Sequence, residues 1–228
     1  MSLDVHGNFI THRIGYTCRD CWEPLVIGSN QRLWFGPIAA VLFFAGIFAI
    51  GLMIPDYSSV RQTVSELGEI GSPGRVVFSV LLCLVAASLI IFAGAVGRIL
   101  RGSGHSGLPA YFVGAMAISA AGVGIFAFPH PLHNVFGMSE LVGYQAPLVA
   151  ALVCRKDQSA KRLNVFSIVM YVAVLLAIAA NMTTLHRHGD LWAHIHPFYG
   201  VVQRFLFAAW FSWCAGYGVL LLRARWSG

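Results

Sequence analysis

The chain has 228 residues, 57% of them hydrophobic and 11% charged. Soluble domains carry roughly 25% charged residues, so composition excludes an ordinary soluble fold. The net charge of +6 does not point to nucleic acid, because no basic face alternates with aromatic residues as a binding groove requires.

Residues 1–32 are polar and mixed, and are expected to form a cytoplasmic extension. They lack the continuous apolar core and small-residue cleavage site of a signal peptide, so the first apolar run is expected to direct insertion. Cys18-Arg19-Asp20-Cys21 holds a Cys-x-x-Cys pair, which is half a zinc site or a redox pair. With His6 and His12 it supplies four candidate zinc ligands. The second half of the usual zinc pattern is missing, and two reduced cysteines are the plainer reading.

Six apolar runs follow: Leu33–Ile54, Val76–Leu100, Pro109–Phe128, Met138–Cys154, Val165–Thr184 and Tyr199–Leu222. A helix needs about 20 apolar residues to cross a bilayer, and in lipid the backbone must satisfy itself. The pattern predicts an all-α polytopic membrane protein, a bundle of six transmembrane helices over residues 33–222 with a short tail, 223–228. The fourth run is the shortest. Between the first two runs, Tyr57, Val60, Val64 and Leu67 recur at helical spacing. They predict a short interfacial helix, capped by Asp56 or Ser58 and ended by Gly68. Ser72-Pro73 is the expected cap and first turn of the second span. The third run is rich in Gly, Ala and Ser, which lets helices approach closely in lipid.

Eleven Lys and Arg fall on the side shared by the two termini and four on the other. The positive-inside rule then predicts a plasma (inner) membrane protein with both termini in the cytoplasm. Cys83, Cys154 and Cys214 lie within spans or at their ends, where a thiol acts as a small hydrophobe, and no structural disulfide is expected.

Six of the nine histidines fall on the predicted outer side. They are His130, His133, His186, His188, His194 and His196, with Asp56, Glu66, Glu69, Glu140 and Asp190 nearby. Histidine and carboxylate together hold zinc or move protons. His186, His188, His194 and His196 are therefore a candidate metal set, although their spacing matches no fixed zinc motif. Hydrogen bonding to helix ends and water is the plain alternative. Polar groups also enter the spans at Gln145, Asn181, Gln203 and Arg204. A buried Arg usually finds a partner, and Glu66 and Glu140 are the candidates, with snorkelling to headgroups as the alternative. Neither Gly-x-Ser-x-Gly nor a phosphate-binding glycine loop is present.

Three segments carry a family resemblance. The stretch from Tyr57 to Gly68, ending Val64-Ser65-Glu66-Leu67-Gly68, resembles a hallmark of a bacterial and archaeal membrane family. That family is the domain of unknown function nine-nine-eight. Phe128-Pro129 followed by His133 is similar to its second signature, and Gly200-Val201-Val202-Gln203-Arg204 to its third. The resemblance runs from Trp34 to Leu222 and marks Ser65, Glu66, His133 and Arg204. It implies no established activity, and His186, His188, His194 and His196 are not part of its pattern.

The leading expectation is an outer-face polar pocket of Ser65, Glu66, His133 and Arg204 for a lipid headgroup or small anion, since Arg offers a planar fork to phosphate or carboxylate. Membrane lipids would be its partners, and it would need no cofactor. One rival is an accessory transmembrane subunit using its aromatic and small-residue faces against other membrane proteins. Another is a metal-assisted lipid hydrolase, with the outer histidines and Glu66 activating water.

Overall fold

A computed structural model describes residues 28–186 and 188–224. After a short helix α1 (Ser29–Arg32), α2 (Phe35–Met53), α3 (Arg75–Gly102) and α4 (Leu108–Ile125) follow. Then come α5 (Pro131–Gly143), α6 (Ala146–Cys154), α7 (Lys161–Asn181), α8 (Asp190–Ile195) and α9 (Tyr199–Arg223). Among the described residues there is no strand. Among the described residues, six stretches are long and apolar enough to cross a membrane: Asn30–Met53, Arg75–Gly102, Leu108–Ile125, Pro131–Cys154, Lys161–Thr184 and Asp190–Arg223. Leu52, Val76, Ile118 and Leu176 stand exposed on them. In water such a surface would drive association; in lipid it is the ordinary exterior of a bundle.

The spans close into a ring. Each packs on its neighbours in sequence, and α2 packs on α9, so the first span meets the last. The small residues of α4 are used in this packing, with Gly122 under the Phe136 ring of α5 and Gly124 against Leu82 of α3. The two ends of the ring differ. Towards the 103–107 and 155–160 connections the interior is filled by Leu33, Phe92, Leu100, Trp213 and Tyr217, all fully buried. These two connections are joined by His105 Nε2 and Asp157 Oδ2 at 3.3 Å. The opposite end, with the 54–74 and 126–130 connections, is hollow.

Three features differ from expectation. The fourth span starts at Pro131, a turn and more before Met138, and breaks between α5 and α6 at Tyr144-Gln145. Pro147 has no N–H to return to the carbonyl four residues back, which frees Gly143. The Trp210 indole N–H fills the gap, donating to Gly143 O at 3.0 Å. A Cβ on Gly143 would lie 2.6 Å from Met116 Cβ, so glycine also lets α5 close onto α4. The expected interfacial helix shrinks to a single 3-10 turn, Ser65–Gly68. Asp56 takes a positive φ of 59°, and the carbonyls of Ser59 and Gln62 turn sideways to Arg204 instead of along a helix axis. The Ser72 cap also falls before the helix: its Oγ accepts from Gly74 N and donates to Leu67 O, and α3 begins at Arg75.

Candidate functional site

At the hollow end, residues 57–66 are bound to the start of α9. Arg204 Nη1 donates to the carbonyls of Ser59 (2.8 Å), Gln62 (2.9 Å) and Gly200 (2.9 Å). Its Nη2 donates to the Tyr57 hydroxyl at 2.6 Å, which donates in turn to Thr63 O at 2.8 Å. Gln203 Oε1 accepts from Val64 N at 2.7 Å. The loop lies so close that a Cβ on Gly200 would strike the carbonyls of Gln62 and Ser59. Burial pushes the Tyr57 hydroxyl above its ordinary pKa of 10.0, opposed by the Arg204 guanidinium and reinforced by the Glu66 carboxylate.

Arg204 therefore satisfies itself on neutral oxygens. The expected ion pair with Glu66 or Glu140 is absent among the described residues. Glu66 serves the loop instead. Its Oε1 accepts from Thr63 N and Thr63 Oγ1, both at 2.8 Å, and its Oε2 from Gln62 Nε2 at 2.9 Å. Gln62 Oε1 accepts from Ser58 N at 2.8 Å.

Beneath this loop lies a cavity of about 550 Å³ inside the ring. Ser65 and His133 are on its wall; Glu66 and Arg204 are not. His133 is buried, with Nδ1 2.8 Å from Phe126 O. Deeper in the wall is Glu140, nine residues into the fourth span and so about 14 Å along it at 1.5 Å per residue. The Tyr144 hydroxyl donates to Glu140 Oε2 at 3.1 Å. Asn181 also lines the cavity, donating to Ala177 O and Val202 O. Gln145 lies off the wall and joins α7, accepting from the Tyr171 hydroxyl at 2.8 Å.

Sequence reading missed Glu140 as a wall residue. With the fourth span begun at Met138, Glu140 falls at a helix mouth; with the span begun at Pro131 it lies at depth. The readable signal was the pair Glu140 and Tyr144, four residues apart and hence on one helix face.

Of the other candidates, His188, His194 and His196 are exposed. His194 Nδ1 lies 2.7 Å from Asp190 O, and the His196 ring packs against Trp192. Among the described residues no three His, Cys, Asp or Glu side chains gather as a metal site. The side chain of His186 lies outside the described residues, as do His6, His12, Cys18 and Cys21.

The apolar ring and its hollow end define a multi-pass, six-helix membrane protein. The family model described as "Protein of unknown function (DUF998)" matches residues 37–220, and the chain belongs to that family. No curated protein and no solved structure matches it.

Proposed function

We propose that this protein binds a lipid-like molecule in the cavity within its helix ring, with both termini in the cytoplasm and the cavity end facing outward. The observation that carries this reading is the cavity itself. Its volume of about 550 Å³ is within the range of small-molecule sites, which are mostly apolar with a few placed polar groups. Leu82, Val85, Leu89, Met116 and Leu206 supply apolar wall, and Ser65, His133, Asn134, Glu140 and Gln203 supply polar groups. The headgroup role expected of Arg204 passes to these groups, because the guanidinium is occupied by the loop. The excess of Lys and Arg on the terminal side supports the orientation.

A fatty alcohol carrying a diazirine in its chain tests this. After photolysis in membranes, the expected labels fall on buried wall residues such as Leu89, Met116 and Leu206 and are competed by unlabelled alcohol. Labelling confined to lipid-facing residues such as Leu52 and Leu176 would contradict the reading.

A further inference from the structure

Glu140 raises a question that packing alone does not answer. It is an ionisable group at membrane depth, where such residues are costly and normally paired. Its one hydrogen bond among the described residues comes from Tyr144 to Oε2, which leaves Oε1 without a protein donor. Among the described residues that line the cavity none is Lys or Arg, and Glu140 is the one carboxylate. The wall beside it is aromatic. Tyr144 meets Trp210 edge to face at 6.5 Å between ring centroids, Trp210 meets Phe211 at 5.2 Å, and Phe211 stacks on Phe43 at 4.8 Å. All four rings line the cavity. The Trp210 N–H is already committed to Gly143, so the indole offers the cavity no donor.

A carboxylate with one oxygen uncommitted, in an aromatic wall that holds no Lys or Arg among the described residues, is the chemistry that holds an organic cation, through charge and charge-assisted hydrogen bonding. We propose that the cavity's ligand is cationic: Glu140, positioned by Tyr144, binds the protonated or quaternary amine of an amphipathic molecule whose chain fills the apolar remainder. This rests on the ligand-binding reading above and names the chemical class of that ligand. A bare anionic headgroup fits poorly, because it would meet a carboxylate and, among the described residues of the wall, no Lys or Arg. The amine could belong to a monocationic amphiphile or to a zwitterionic lipid headgroup.

The test measures saturable binding of three tritiated probes to the full chain in phosphatidylglycerol nanodiscs, with empty nanodiscs subtracted. The probes are dodecyltrimethylammonium, dodecylphosphocholine and dodecanol. Glu140→Gln is expected to weaken dodecyltrimethylammonium about tenfold and dodecanol far less, because glutamine still offers a hydroxyl a hydrogen bond but no charge to a cation; an unchanged thermal midpoint shows that the variant is folded. Glu140→Asp is expected to keep most of the preference. If dodecylphosphocholine shows the same loss, the amine comes from a zwitterionic headgroup; if it does not bind, from a monocationic amphiphile. Equal binding of cation and alcohol, both indifferent to Glu140→Gln, would overturn the cationic assignment and leave the cavity reading intact. Failure of every probe to saturate the wild-type protein would overturn both.

Discussion

Arg204 holds the loop over the cavity through the carbonyls of Ser59 and Gln62 and the Tyr57 hydroxyl, and donates as well to Gly200 O in its own helix. Nη1 takes all the carbonyls and Nη2 the hydroxyl, so lysine, with one nitrogen in place of the planar fork, cannot hold both sets at once. Arg204→Lys is therefore expected to destabilise the protein by about 1–3 kcal/mol, the range for leaving buried groups unpaired. The loss should appear as a lower thermal midpoint and faster proteolysis within residues 56–64. Tyr57 gives the same contact a pH dependence. Its folded pKa is raised, so its contribution is full below the unfolded value of about 10 and is lost as pH rises through the folded value. The thermal midpoint is expected to fall above about pH 10, and less so in Tyr57→Phe. The pairing of these two segments was partly legible in the sequence, because Ser65-Glu66 and Gln203-Arg204 stood out as polar groups on one side. Its chemistry was not, since carbonyl acceptors leave no side-chain signature and charge alone pointed Arg204 at Glu66 or Glu140.

At the scale of the helix, the break in the fourth span depends on two residues far apart in the chain. Pro147 removes the donor that Gly143 O would otherwise take, and Trp210 replaces it. Trp210→Phe keeps a ring and deletes the N–H, with an expected loss of about 1–3 kcal/mol from the orphaned carbonyl. In Pro147→Ala the helix regains its own donor. The double variant Trp210→Phe with Pro147→Ala is therefore expected to lose less than the two single losses added, as read by thermal unfolding. The apolar runs announced this span but not its start. The apolar run begins at Met138, whereas α5, packed on α4, extends the span back to Pro131. The expected surface helix fails for the opposite reason: its apolar spacing is helical, yet its carbonyls are drawn off by Arg204.

Across the whole molecule, the order of the spans was legible and their closure was not. Length and apolarity define six crossings, but only packing brings α2 against α9 and leaves one end of the ring hollow. The proposed orientation makes its own prediction. In intact cells, Asp190→Cys in a background without native cysteines is expected to react with a membrane-impermeant maleimide. Asp157→Cys, at the other end of the bundle, is expected to react only after permeabilisation. The reverse pattern would invert the topology.

The central claim is that the hollow end holds a lipid-like molecule, and Gly137 offers the most direct test of it. Gly137 lines the cavity, and a Cβ built there meets nothing within 4 Å. Leucine at this helical position favours the helix by up to about 1 kcal/mol over glycine, so the variant is expected to fold. The measurement is native mass spectrometry of the protein released from its own membrane, wild type beside Gly137→Leu. The account predicts a stoichiometric lipid-like adduct on the wild-type chain that is lost in Gly137→Leu. A wild-type chain with no such adduct, or one retained equally by Gly137→Leu, would contradict it.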